Sequence, residues 1–237
     1  MSCAVELFMN INSNSCGLFR RKNMSKLTKK LSIGVIFLSL CGFNEYVYAM
    51  EESIDKNEMR VWEKSVLEDI NSETPIGDWK TMDRAAYGGW TWRDGVICIS
   101  DSYAITPLFN NGHAGIVAAD PYYYATIESN PGTGVQVVYG NWTNRFSGST
   151  VYQIGVKKTS IQDDQNVAYW AARQIGKPYN HEFFNINTRN KFYCSQLVWA
   201  GYKDVTGVDI GTWDWGYAIH PFELLKSSET VLIYRNK

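Results

Sequence analysis

Cysteine and histidine are scarce in this chain. Its 237 residues include five cysteines and three histidines. Only Cys98 and Cys194 lie beyond residue 49, so the sequence is not a disulfide scaffold, although this lone pair could form one bridge. The histidines have neither clustered cysteines nor a His-Glu-x-x-His pattern beside them. We therefore expect no metal site and no bound cofactor.

Charge of either sign is not in excess. The formal net charge is −1, the sequence pI is about 6.3, and no basic run appears beyond residue 49. A nucleic-acid partner would require a concentration of positive charge, so the sequence argues against that class of partner. The chain also lacks a glycine-rich phosphate loop, an internal repeat and a low-complexity segment. These absences leave one globular domain with a core of its own.

No apolar run is long enough for a comfortable membrane span. Lysines at positions 26, 29 and 30 precede the apolar run 31–43, and Val47-Tyr48-Ala49 follows it. This order of positive, apolar and small residues is typical of a secretory signal peptide that is cleaved after Ala49. We expect residues 1–49 to be an upstream extension and signal peptide. The mature protein would be secreted, or reside in the periplasm or cell envelope, without stable membrane insertion.

Roughly 190 residues remain, enough for one domain with a real core. Residues 51–70 place apolar side chains at helical spacing among charged ones, which predicts an amphipathic helix. We divide the mature chain into this helix with its connector, 50–87, and a catalytic domain, 88–237. Short apolar runs bounded by Gly, Asn or Pro predict strands in the second part, and stripes at helical spacing predict helices. The predicted strands are 96–100, 113–119, 123–129, 134–139, 151–157 and 230–234, and the predicted helices begin at the cap residues 163–165, at Cys194 and at Pro221.

The helix that begins at Cys194 has one apolar face. Small or apolar residues at 194, 197, 198, 201 and 202 form the stripe of a helix buried on one side. Cys194 lies in the first turn, where unpaired backbone N–H groups favour the thiolate, the form that attacks a carbonyl carbon. A free cysteine on such a stripe is also typical of an inert buried residue. Cys194 is therefore a candidate nucleophile that needs a base.

His113 is the candidate base. It lies in one predicted strand, and the next strand returns after Asp120-Pro121. A turn centred between these two residues places His113 opposite Glu128, whereas a turn with Pro121 in its second position places it opposite Asn130. Directly opposed residues share a face of the sheet, so either register gives the imidazole a partner that can fix its tautomer. The sequence therefore predicts a thiol–imidazole site.

The two other histidines are weaker candidates for the base. His181 lies in a predicted loop, and His220 precedes Pro221 near a predicted helix start. Neither has a strand neighbour that carries a carboxylate at a matched position. We therefore rank His113 first and His220 second.

The motifs, taken in order, resemble a known family. Gly-His-x-Gly-Ile at 112–116, Gly-Lys-Pro-Tyr-Asn at 176–180 and Tyr-Cys-Ser-x-Leu-Val at 193–198 are together similar to circularly permuted NlpC-type papain-like hydrolases, the YiiX-like family. The similarity covers about residues 88–235. It implies an α+β, papain-like fold, in which a small antiparallel β-barrel or sheet packs against a catalytic helix. The strand that supplies histidine then precedes the cysteine.

The resemblance also implies a role for individual residues. Cys194 would be the nucleophile, His113 the base and Glu128 the group that orients the imidazole. Tyr179 and Tyr193 would face the oxyanion or the substrate.

The implied chemistry is acyl transfer by a papain-like cysteine peptidase or amidase. The thiolate attacks an amide carbonyl, and water then hydrolyses the thioester. Export and the resemblance to cell-wall peptidases favour the amide or peptide bonds of peptidoglycan stem peptides as substrate. Gln196 departs from the glutamate that family members often carry there, and we expect little effect from this difference.

Three other interpretations stay open at the level of sequence. A lipid-directed thioesterase or acyltransferase would need an apolar groove, for which the aromatic stretch 79–92 is the candidate. A non-catalytic wall-binding module would keep its ligand affinity after Cys194→Ala. A disulfide between Cys98 and Cys194 would make both cysteines structural. The sequence predicts no particular oligomeric state.

Overall fold

The computed structural model describes three stretches of the chain, 55–81, 89–101 and 112–237. The predicted signal peptide within 1–49 and the predicted boundary between 87 and 88 fall outside the described residues, so both stay predictions. None of the described helices is long and apolar enough to cross a membrane.

The described ranges contain six strands and five helices. The strands are β1 Ile97–Ser100, β2 His113–Val117, β3 Ala125–Asn130, β4 Gly134–Tyr139, β5 Val151–Val156 and β6 Thr230–Arg235. The helices are α1 Lys56–Ser72, α2 Trp142–Arg145, α3 Ile161–Ala172, α4 Cys194–Thr206 and α5 Pro221–Lys226. The predicted strands and helices are confirmed to within a few residues. The short helix α2 is the element that the sequence pattern does not predict.

The strands form one antiparallel sheet in the order β4-β3-β2-β1-β5-β6. The sheet is open, so the α+β class is confirmed with a sheet rather than a closed barrel. Helix α4 packs on β2 and β3, and α3 packs beside α4. Strands β1, β2 and β5 are buried along their whole length, which explains their small and β-branched composition.

One hydrophobic cluster lies at the centre of the sheet. Its buried members are Val96, Cys98, Val117, Trp142, Val151 and Ile233. Trp90 and Trp92 pack against this cluster, and Trp90 also meets Tyr234 edge to face. These two tryptophans of the aromatic stretch are therefore partly buried against the core, while residues 82–88 of that stretch lie outside the described residues.

Helix α1 has a buried face that is not wholly apolar. Asp55 caps it by accepting hydrogen bonds from the backbone N–H groups of two residues in the first turn. The buried residues are Met59, Glu63, Val66 and Ile70. Val61 is one of the apolar residues of the predicted amphipathic helix 51–70, but it is 71% exposed, so the prediction that it is buried is wrong. Glu63 therefore lies on the buried face of α1, and α1 packs against α5.

Helix α3 starts earlier than predicted, and as a result the Asp164 carboxylate is buried in the core rather than used as a helix cap. Ser160 caps the helix in a reciprocal capping box with Asp163, so the cap lies three residues before the predicted one. Asp164 is buried instead. It accepts hydrogen bonds from Lys80 Nζ at 2.8 Å and from Arg93 Nη1 at 2.5 Å. This cluster ties the segment after α1 and the loop before β1 to α3.

Removing the Asp164 carboxylate should destabilise the fold strongly. In Asp164→Ala, Lys80 and Arg93 stay buried, and Asp78, which pairs with Arg93, is left to balance both charges. We expect the loss of the shared carboxylate to cost about 3–5 kcal/mol of unfolding free energy. Urea denaturation measures this loss. The control Asp204→Ala removes the partly exposed pair with Arg189, and should cost less than about 1 kcal/mol. Equal losses in the two variants would contradict the role assigned to the buried cluster.

Candidate active site

Helix α4 places Cys194 in its first turn, as predicted. Tyr193 is the N-cap residue, and its backbone N–H donates to Gln196 Oε1 at 3.2 Å. The helix ends at Gly207, which adopts the left-handed conformation with φ of 76° that glycine accepts without strain. Residues 194–202 are all buried. The thiol therefore lies at the positive end of a helix that is enclosed by the protein.

Strand β2 carries His113 beside Cys194, and β3 supplies the partner of the imidazole. The β2–β3 register pairs Gly115 with Glu128, which is the second of the two predicted registers. The turn itself differs, because Pro121 lies in the third position of a turn closed by Tyr122 N–H and Ala119 C=O at 3.0 Å. In this register the contact to His113 is diagonal. His113 Nε2 lies 2.8 Å from Glu128 Oε2, so the partner is Glu128 rather than a directly facing residue.

Gly115 makes the diagonal contact possible. A Cβ at this position would lie 2.9 Å from Glu128 Cγ and 2.8 Å from a ring carbon of Trp142. Because glycine has no side chain, the carboxylate can lean over β2 toward His113. The glycine of the Gly-His-x-Gly-Ile motif is therefore a steric requirement of the His–Glu pair.

The Cys194 thiol and the His113 imidazole interact closely enough that each shifts the pKa of the other. Glu128 engages Nε2 of His113, which leaves Nδ1 as the ring nitrogen for the sulfur. Burial opposes charge on both groups, yet the hydrogen bonds and opposite charges outweigh it. They raise the pKa of His113 to about 9. The pKa of Cys194 is lowered by His113 and by the backbone N–H groups of Ala114 and Ser195. Both shifts favour a thiolate beside an imidazolium.

Glu128 is anchored by more than the imidazole. Arg145 donates two hydrogen bonds to the carboxylate, from Nη1 at 2.6 Å and from Nη2 at 3.0 Å, and the Thr126 hydroxyl donates to Oε1. Burial would raise the pKa of Glu128, but His113 and Arg145 together lower it to about 2. The third group of the site is therefore ionised at every physiological pH.

Helix α2 holds two side chains of the site that sequence reasoning missed. Trp142 lies flat against the His113 ring, with centroids 5.3 Å apart and planes 13° from parallel, and its indole N–H donates to Thr126. Arg145 follows one turn later. The local signal is Asn141, whose side chain caps the helix, but four residues are too few to show a helical period.

Tyr179, Tyr193 and Gln196 lie around the start of α4. Tyr179 is nearly buried and pairs with Phe192 in an isolated parallel bridge, which brings it beside the residues before Cys194. The Tyr193 ring is buried, and its hydroxyl accepts a hydrogen bond from Ile219 N–H at 2.9 Å. Gln196 accepts from Asn180 Nδ2 at 2.9 Å, and its own amide group donates to backbone carbonyls of the loop before the helix. The substrate-facing roles of both tyrosines stay predictions.

The remaining histidines and the second cysteine lie in other surroundings. His181 is exposed and contacts the Tyr179 ring. His220 is buried and does have a carboxylate partner, Glu63 of α1, at 3.1 Å, which the strand-based reasoning did not find. Cys98 and Cys194 are both free, so the proposed disulfide is wrong. Burial raises the pKa of the Cys98 thiol far above that of a free thiol, which makes it inert.

The chain matches a family model over residues 97–218, which are 122 of its 237 residues. The model describes the permuted papain-like amidase enzymes of the YaeF/YiiX, C92 family. The chain belongs to this family. The match contains His113, Glu128 and Cys194.

Two proteins of Escherichia coli are similar to this chain. The uncharacterised protein YiiX of strain K12 is 36% identical over 52 residues, which are 22% of this chain and 25% of that protein. The match thus spans about a quarter of the relative's length. The crystal structure of the metalloprotein yiiX from strain O157:H7 aligns with a TM-score of 0.48 and 16% identity, over 62% of this chain and 99% of that one. In the part of the present chain that the structure describes, no group of three His, Cys, Asp or Glu residues could hold a metal ion.

Adding a methyl group at Gly115 should damage catalysis. In Gly115→Ala the new Cβ collides with Glu128 and Trp142, so the carboxylate is pushed from His113 and the imidazole loses its orientation. We expect kcat/KM to fall by about 100-fold. Steady-state kinetics of amide hydrolysis measures the effect. The control is Gly148→Ala, because a Cβ there meets open space. Activity within a factor of two of wild type in both variants would refute the steric argument.

The charge state of the pair predicts the pH dependence of activity. The pKa of His113 is raised above 6.5 to about 9, so the imidazolium that protonates the leaving amine persists through neutral pH and is lost through about pH 9. The lowered pKa of Cys194 places the acidic limb, where the thiolate is protonated, below the range of a free thiol. A kcat/KM profile over pH measures both limbs. An alkaline limb near pH 6.5, the ordinary histidine value, would show that the pair is not charged.

Proposed function

We propose that this chain is an exported amidase that cleaves amide or peptide bonds of peptidoglycan stem peptides, with Cys194 as nucleophile, His113 as acid and base, and Glu128 as orienting group. The observation that carries the proposal is the buried arrangement in which His113 interacts with Cys194 on one side and with Glu128 on the other. Its catalytic part is supported by membership of a papain-like amidase family.

The first half-reaction follows from the charges of the site. The Cys194 thiolate attacks the carbonyl carbon, a C–S bond forms, and negative charge moves to the carbonyl oxygen. The backbone N–H of Cys194 at the start of α4 helps to hold this oxyanion. The His113 imidazolium gives its proton to the leaving nitrogen, so the C–N bond breaks and the amine departs. A thioester on Cys194 and a neutral imidazole remain.

The second half-reaction restores the site. His113, now neutral, takes a proton from a water molecule as that water attacks the thioester carbonyl. The C–S bond breaks, the carboxylic acid leaves, and the thiolate and imidazolium return together. Glu128 stays ionised throughout, because Arg145 shares its charge and keeps its pKa low at about 2. The carboxylate thus holds the imidazole in one orientation during both proton transfers.

The substrate and the cellular location rest on different grounds from the chemistry. The sequence before residue 50 has the pattern of a signal peptide, which would carry the enzyme across a membrane to a peptide-rich wall. A stem peptide, with a γ-linked glutamyl unit as one candidate bond, matches both that location and the resemblance to cell-wall peptidases. Trp90 and Trp92 are partly buried and pack against the hydrophobic cluster, which does not favour the apolar groove that a lipid substrate would need.

Loss of either member of the proton-transfer pair should abolish hydrolysis. We expect Cys194→Ala to remove turnover, and His113→Ala to lose nearly as much, because members of one catalytic unit are not additive. The measurement is incubation of the mature chain with purified peptidoglycan fragments, simple acyl amides and lipid thioesters, followed by mass spectrometry of the products.

The control for this experiment is Cys98→Ala, which removes the buried thiol that the mechanism does not use. It should retain turnover near that of wild type. Cleavage by wild type and Cys194→Ala alike would remove the proposed nucleophile. Turnover of lipid thioesters without any amide cleavage would replace the wall substrate with a lipid one. A His113→Ala rate close to wild type would move the base to another residue, with His220 the next candidate.

A further inference from the structure

The two residues that flank Cys194 bind the same residue on a distant part of the chain. The Tyr193 hydroxyl accepts a hydrogen bond from Ile219 N–H at 2.9 Å, and the Ser195 hydroxyl donates to Ile219 C=O at 2.6 Å. All of these groups are buried. The backbone of Ile219 therefore fixes the start of α4 from both sides of the nucleophile.

The same part of the chain also packs against the histidine strand. Gly112 precedes His113, and a Cβ on it would lie 2.8 Å from a ring carbon of Phe222 and 3.1 Å from Cβ of Pro221. We call residues 219–222 the bracing segment. It contacts the residue before His113 and both neighbours of Cys194, so its position sets the spacing of the reactive pair.

Helix α1 holds the bracing segment through His220. Nδ1 of His220 accepts a hydrogen bond from Phe222 N–H at 3.1 Å, so the ring proton is on Nε2. Nε2 then donates to Glu63 Oε1 at 3.1 Å. Burial lowers the pKa of His220 despite the nearby carboxylate, which agrees with a neutral ring. The Trp62 ring meets His220 edge to face at 5.2 Å and completes the contact.

We propose that Glu63 is a positioning residue for catalysis, which holds the Cys194–His113 spacing through its hydrogen bond to His220 of the bracing segment. The inference rests on the proposed function, since it concerns the same reactive pair. Glu63 and His220 both lie outside the residues that the family model matches, 97–218. Helix α1 therefore lies outside the residues that the family model matches, yet it acts on the active site that those residues form.

Substitutions at Glu63 that differ only in hydrogen bonding test the proposal. Glu63→Leu keeps most of the side-chain volume but loses the acceptor, whereas Glu63→Gln keeps an acceptor oxygen for His220. In the mature chain we expect Glu63→Leu to lower kcat by about ten-fold, with KM within about a factor of two, because the pair is misplaced while the substrate site is intact. Glu63→Gln should restore kcat to near that of wild type.

Two readouts that do not need turnover accompany the kinetics. NMR titration of labelled histidine should show the pKa of His113, about 9 in wild type, moving toward 6.5 in Glu63→Leu as the sulfur moves away. The rate of alkylation of Cys194 by iodoacetamide at neutral pH should fall in parallel. The matched control is Glu68→Leu, on the exposed side of the same helix, where Glu68 forms a solvent-exposed ion pair with Lys64.

A Glu63→Leu variant that is folded and equals Glu68→Leu in kcat and in the His113 titration would overturn the proposal. If Glu63→Leu does not fold, Glu63→Asp decides, because its carboxylate is one methylene shorter and should give an intermediate fall in both quantities. An Asp variant identical to wild type would also overturn it. Wild-type protein that turns over no amide, yet keeps a high pKa at His113, refutes the proposed function alone. The shift of that pKa in the Glu63 variants still tests the positioning role.

Discussion

The reactive pair depends on a buried line of alternating charges. The pKa shifts favour a thiolate at Cys194, an imidazolium at His113 and a carboxylate at Glu128, and the Arg145 guanidinium continues this alternation of charge. Of these four side chains only Arg145 is partly exposed, at 25%. A single charge at such depth would be neutralised by a shift of its own pKa. Each charge here has an opposite neighbour within hydrogen-bonding distance, so the desolvation cost of the thiolate is offset along the whole line. The environment of the sulfur is thus set by four residues that lie on two strands and two helices.

The backbone has to bring these residues together at a spacing that regular structure does not provide by itself. Adjacent strands align His113 and Glu128 only diagonally, and Gly115 supplies the missing space between them. Trp142 covers the flat side of the imidazole, which leaves the ring edge as the route to the sulfur. The bracing segment fixes the helix side of the pair through the backbone of Ile219. A small displacement in any of these contacts would act on the distance between sulfur and imidazole.

Much of the frame of this site is visible in the sequence. The stripe from Cys194 to Tyr202 and the short runs before and after Pro121 have the period of a helix and of strands, and both elements occur as predicted. Periodicity reports which face of an element is buried, so it finds Cys194 and His113. It says little about polar residues on a buried face. Glu63 sits on the apolar side of α1 and Asp164 inside the capped turn of α3, and in both cases only the partner residue far along the chain explains the position.

The sequence by itself determined the succession along the chain of the strands and helices other than α2, the helix-start cysteine, the strand histidine and the resemblance to a permuted papain-like family. Each of these is written in local spacing or in short motifs. Tertiary structure alone decided that Glu128 reaches His113 diagonally, that Arg145 pairs with Glu128, and that Glu63 of α1 contacts His220. These contacts join residues 15 to 157 positions apart. Their geometry depends on strand register and on the space left by a glycine, and neither can be obtained from the spacing of residues along the chain.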